Sequence, residues 1–156
     1  MGTTWALGDE DMDTTNINTS YNEIKSSLTN VKAIYSTLDA FCALKTDGTI
    51  VVWGSSATAA STFPFEGVTN IIDVWSTDCA FLAINNFGKA YVWGDRQCGG
   101  ELPSATLLDA NIDKVWAAGN GFTVKLQNGQ YTHWGSSALF VPSENSQQTY
   151  ISDGIC

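Results

Sequence analysis

The sequence predicts an all-β fold with a minor helix, built from antiparallel hairpin units that stack on one another. Two observations carry this. Trp-Gly recurs at Trp53-Gly54, Trp93-Gly94 and Trp134-Gly135, at spacings of 40 and 41 residues, a period that marks repeat architectures. In step with it, a Gly stands five positions before each Trp (Gly48, Gly88, Gly129), a Phe twelve before (Phe41, Phe81, Phe122) and an aromatic eighteen before (Tyr35, Trp75, Trp116).

Each copy reads as a hairpin. An apolar run such as Phe41–Leu44 or Phe81–Ile84 leads into Asp47-Gly48, Phe87-Gly88 or Asn128-Gly129, and a second run then ends at the Trp. The Gly supplies the positive φ that a tight turn requires. In the first two copies the closing run is apolar at consecutive positions, Ile50-Val51-Val52-Trp53 and Ala90-Tyr91-Val92-Trp93, a pattern suited to sheets covered on both faces. One hairpin cannot cover both of its own faces, so the copies must stack. The third copy is more polar, with Gln130-Tyr131-Thr132-His133-Trp134 and with Lys125 where Leu44 and Ile84 stand, as expected of a capping unit.

Between hairpins, Ser20-Tyr21-Asn22-Glu23 forms a capping box followed by apolar spacing at Tyr21, Ile24 and Leu28, which predicts a short helix over Ser20–Leu28. The connectors around Phe63–Glu66 and Pro103–Leu108 are read as loop or a single turn. The two ends carry cut copies: Gly2–Asp9 is similar to the closing strand Gly88–Asp95, and Tyr150–Cys156 to an opening strand Tyr35–Cys42. The chain is therefore expected to be one repeat domain, 1–156. It divides into a closing half-unit (1–13), three repeats (14–54, 55–94, 95–135) and an opening half-unit (136–156).

Composition narrows the partners. The 156 residues are 44% hydrophobic and 15% charged, with six Trp, which is a folding composition rather than a disordered one. No apolar stretch is long enough for a membrane span. Seven Lys and Arg against sixteen Asp and Glu give a net charge of −9 with no basic cluster along the chain, so nucleic acid and membrane surfaces are expected to be poor partners. Met1–Asp13 has neither the basic start nor the apolar run of a secretory signal, and an extracellular or cell-surface location stays open.

Four cysteines, Cys42, Cys79, Cys98 and Cys156, show no CxxC pair or zinc spacing. Three disulfide connectivities are possible. Cys42 and Cys79, in apolar stretches, read most simply as buried thiols, whereas Cys98 in a Gly-rich loop and Cys156 read as accessible.

Chemistry-bearing motifs are sparse. There is no phosphate loop, no GxSxG and no HExxH, and His133 is the single histidine, at the strand position of Val52 and Val92. Asp9, Asp11 and Asp13 alternate like the start of a calcium loop, but Thr14 and Ser20 stand where an EF-hand has Gly and Glu. An acidic solvated loop fits better. Asn18-Thr19-Ser20 is a glycosylation sequon, relevant only to a secreted chain. Trp53, Trp93 and Trp134 are expected in the core rather than as a sugar-stacking ladder. No cofactor and no enzymatic activity is expected.

The stretches "AFCALKTDGTIVVWG" and "AFLAINNFGKAYVWGD", with Gly99-Gly100 after the second, resemble repeats of the regulator of chromosome condensation family. The Trp-Gly-Asp, double-Gly and Ala-Phe-x-Ala features are similar to a divergent subset found in large repeat proteins of bacteria and microbial eukaryotes. The resemblance implies four-stranded antiparallel blades, here as a partial propeller or an open superhelical array, because seven blades need more chain than this. It also implies functions ranging from nucleotide exchange on a small GTPase to inhibition of β-lactamase. Two expectations follow: a structural module that self-assembles head to tail into a filament or surface structure, using the cut ends, Trp5, Cys98 and Cys156; or a domain that binds another protein through its interrepeat loops.

Overall fold

The computed structural model describes residues 24–55, 63–104 and 111–136. Within them the chain is nearly all β, in three antiparallel three-stranded sheets. The first sheet holds β1 (Val31–Ser36), β2 (Ala40–Lys45) and β3 (Ile50–Gly54). The second holds β4 (Ile71–Ser76), β5 (Ala80–Asn85) and β6 (Ala90–Gly94), and the third holds β7 (Ile112–Ala118), β8 (Gly121–Leu126) and β9 (Tyr131–Gly135). Strand order within each sheet follows the sequence.

The registers explain the spacing of the repeat. Phe41 lies opposite Trp53, Phe81 opposite Trp93, and Phe122 opposite Trp134. The first two pairs stack at ring-centroid distances of 5.4 and 5.2 Å, and cross-strand aromatic pairs are a unit of sheet stability. The twelve-residue interval is thus the path around one hairpin. At its apex Gly48, Gly88 and Gly129 have φ of 80, 78 and 89°. At Gly48 a Cβ would also lie 2.7 Å from the Asn70 nitrogen of the next unit, so the residue serves both turn and stacking.

Alternation partitions the middle sheet between two cores. All six residues of β5 are buried. Ala80, Leu82 and Ile84 with Ala90 and Val92 face the third sheet, against Val115, Phe122, Val124 and Trp134. Phe81 and Ala83 with Tyr91 and Trp93 face the first sheet, against Tyr35, Cys42 and Leu44. Burial of these apolar faces is the main term holding the stack together. Strand β9, with Tyr131, His133 and Gly135 exposed, has the half-covered character expected of the polar third copy.

Several expectations are corrected. Tyr35–Cys42 is not one opening strand: β1 stops at Ser36 and the chain turns at residues 37–39. There the Thr37 hydroxyl accepts the Ala40 amide at 3.0 Å, and the Thr77 hydroxyl accepts the Ala80 amide at 3.0 Å, a hydroxyl-capped turn. Each unit therefore contributes three strands rather than a hairpin, and among the described residues no sheet has the fourth strand implied by the resemblance. Of the helix expected over Ser20–Leu28, residues 20–23 lie outside the described residues. The remainder forms one 3-10 turn, Lys25–Ser27. The Phe63–Glu66 connector is, as expected, loop with a single turn at residues 66–67, and most of Pro103–Leu108 lies outside the described residues.

Candidate interaction rims

Strand ends and turns gather into two rims, one at each end of the strands. The hairpin rim contains the turns β2–β3, β5–β6 and β8–β9 together with the starts of β1, β4 and β7. One main-chain bond ties it from unit to unit, the Ile71 amide donating to the Gly48 carbonyl at 3.0 Å; within the second and third units the Asn86 amide donates to Asn70 at 3.0 Å and the Gln127 amide to Asn111 at 2.9 Å. On the opposite rim the β1–β2, β4–β5 and β7–β8 turns join similarly. There the Leu38 amide donates to Asp78 at 2.9 Å and the Asp78 amide to Gly119 at 2.7 Å.

Large apolar side chains stand out on both rims. Leu38 is 81% exposed on the opposite rim, and on the hairpin rim Phe87 is 75% and Ile72 51% exposed. Phe87 occupies the place of Asp47 and Asn128, which cap their turns. The Asp47 carboxylate accepts the Thr49 amide at 3.0 Å, and the Asn128 side-chain oxygen accepts the Gln130 amide at 2.9 Å. In the second unit this duty has passed to Asn85, whose side-chain oxygen accepts the amides of Phe87 (3.0 Å) and Lys89 (2.9 Å). Phe87 is thereby released from turn formation, yet it places a phenyl ring in water.

The cysteines correct the sequence reading. Cys42 is a fully buried free thiol, as expected, and desolvation pushes its pKa well up. Cys79 is not a free thiol, and Cys98 is neither accessible nor available to Cys156. The two form a disulfide with a Cα separation of 5.6 Å. Cys79 sits in the β4–β5 turn, and Cys98 closes a 3-10 turn (Arg96–Cys98) that begins with Asp95 capping the Gln97 amide at 2.7 Å. The bond pins the double-glycine loop beneath the third sheet. Beside it the Trp134 indole N–H donates to the Gly99 carbonyl at 2.9 Å, and a Cβ on Gly99 would lie 2.8 Å from the Phe122 ring.

Between the first two sheets, the Tyr35 hydroxyl donates to the Asp73 carboxylate at 3.0 Å. Burial, then the Asp73 charge, raises the Tyr35 pKa, and burial likewise raises that of Asp73 against the hydrogen bonds from the Val74 amide and Tyr35. At the exposed turn, hydrogen bonds from the Thr49 hydroxyl and amide lower the Asp47 pKa.

Of the residues singled out in the sequence, Trp53, Trp93 and Trp134 are buried core and His133 is an exposed strand residue. Trp5, Asp9, Asp11, Asp13 and Cys156 lie outside the described residues. Among the described residues no group of three or more His, Cys, Asp or Glu is placed to hold a metal ion, and no helix is long and apolar enough to cross a membrane.

These features define a class: a β-repeat protein of stacked three-stranded sheets whose turns form two rims. No family model and no curated protein matches the chain. Among solved structures, it is similar to the entire ectodomain of the receptor kinase CR4 from Physcomitrella patens, with 19% identity and a TM-score of 0.54 over 73% of this chain and 33% of that one. It is also similar to human WBSCR16, with 18% identity and a TM-score of 0.51 over 68% and 34%. Prp20p from Saccharomyces cerevisiae, the yeast RCC1, is a further neighbour at 15% identity and a TM-score of 0.49 over 67% and 30%. The chain thus spans about a third of the length of the solved chains it matches. At such identities the likeness carries the fold alone.

Proposed function

We propose that this chain is a protein-binding repeat domain, non-enzymatic, that contacts its partner through its rims. The supporting observation is the placement of Leu38, Phe87 and Ile72. The facing surfaces of the three sheets are spent on stacking, whereas these side chains stay exposed on turns and strand starts, and exposed apolar anchors are the usual core of a binding surface. The Cys79–Cys98 bond supports residence in an oxidising compartment such as the cell surface. The Trp-Gly-Asp and double-Gly features support assignment to the divergent repeat subset, with units at 14–54, 55–94 and 95–135.

The test begins with a partner recovered on the full chain, purified, and bound again to wild type, Leu38→Ser and Phe87→Ser. A weakening of about tenfold or more by either change is the expected result, and a partner indifferent to both overturns the reading. Self-assembly has less support, since Cys98 is committed to Cys79. Sizing the chain over a range of concentrations separates the two, with a single monomeric species expected.

A further inference from the structure

Lysines scattered along the sequence converge in the fold. Lys32 and Lys114 lie near the starts of β1 and β7, Lys45 and Lys125 near the ends of β2 and β8, and Lys89 just before β6. Every one of these places is on the hairpin rim. Carboxylates there are Asp47, Asp113, Glu66 on the outer connector, and Asp73, which is half-buried against Tyr35. The opposite rim holds no lysine among the described residues. Its carboxylates are Asp39, Asp78, Asp95 and Glu101, and its one arginine, Arg96, is paired with Glu101 at 3.1 Å. Among the described residues, this chain of net charge −9 therefore has one edge where cations outnumber anions and one where the reverse holds.

The basic edge is also the one that carries Phe87 and Ile72, with Tyr131 37% exposed and the Lys125 ammonium 5.7 Å from its ring centroid. Resting on the protein-binding reading, we infer that the hairpin rim is the partner-facing edge and receives an acidic protein segment that also carries apolar side chains. Lysine ammoniums on flexible stems meet carboxylates at the periphery, while the phenyl ring of Phe87 supplies the desolvated anchor. An extended polyanion such as duplex DNA fits less well. It would meet the carboxylates among the lysines and the negative surplus of the rest of the chain.

The experiment uses the full chain and three fluorescent probes: a glutamate-leucine peptide, a lysine-leucine peptide of equal length, and a duplex DNA oligonucleotide. Anisotropy is followed at low and at physiological salt. The glutamate-leucine peptide should bind, more weakly as salt rises, and the lysine-leucine peptide should not. The double variant Lys32→Glu/Lys114→Glu, whose altered residues are both exposed, should weaken binding by about tenfold or more. Phe87→Ser should weaken it severalfold without changing the salt dependence. Asp78→Lys, on the opposite rim, should leave it intact, and circular dichroism melts confirm that each variant is folded. Failure of wild type to take the glutamate-leucine peptide, binding that survives the double reversal, or preference for the DNA each overturn the inference. A purified partner that binds wild type and is lost with Leu38→Ser alone would uphold the protein-binding reading while overturning this one.

Discussion

The two sheet–sheet junctions of this chain are built from the same repeat by different means. Between the first and second sheets the contact is aromatic: Tyr35, Phe81, Tyr91 and Trp93 interlock, and Phe63 and Phe65 from the connector set their edges against Trp93 and Tyr91 at 4.9 and 5.1 Å. Between the second and third sheets the side chains are mostly aliphatic, and a covalent bond plus a tight glycine loop complete the joint. The junction with fewer rings is the one with the cross-link. Apolar area and chain cross-linking are thus interchangeable means of fixing one unit on the next.

Trp93 is the sharpest place to break that comparison. Removing its buried indole in Trp93→Ala should cost about 3–5 kcal/mol, read from denaturant melts, and a near-neutral result would move the core elsewhere. Opening the other junction with a reductant, or with Cys79→Ala/Cys98→Ala, should cost about 3 kcal/mol for a loop of this length. The cysteine variant should be insensitive to reductant, whereas Trp93→Ala should remain sensitive. Trp134→Phe, which deletes the indole donor to Gly99, should cost about 1–2 kcal/mol by the same melts.

The turns and the core tryptophans were legible in the sequence because a tight turn is a local matter of φ and because large aromatics must be buried wherever they recur. The disulfide was not, since a bond depends on where two distant turns come to rest. A signal existed: Cys79 aligns with Asp39 and Asn120, polar turn positions, and so never belonged with core Cys42. The third strand of the first two units was hidden because the turns at Thr37 and Thr77 lack a glycine, although the matching turn of the third unit holds Gly119. The basic edge was invisible for a related reason. Lys32, Lys45, Lys89, Lys114 and Lys125 never cluster along the chain, and only the registers bring them to one end.

Two smaller effects sharpen the comparison further. Asp73, at the aromatic junction, has a raised pKa from burial. The folded state therefore holds its proton more tightly than the unfolded chain, and the stability this contributes is complete below the ordinary Asp value and is lost as pH rises through the raised one. Asp73→Asn should flatten that decline in melts taken across the acidic range. His133→Ala, on the exposed strand β9, should shift stability by no more than about 0.5 kcal/mol.

The bonds that carry one unit to the next, from Ile71 to Gly48, Leu38 to Asp78 and Asp78 to Gly119, run from main chain to main chain. Such a joint is blind to side-chain identity except where, as at Gly48, the backbone needs the absence of one. Units can then be copied in tandem, lengthened or rewritten by substitution, and the copies will still dock. A joint of this kind asks so little of the side chains that a similar fold can stand in the CR4 ectodomain at 19% identity.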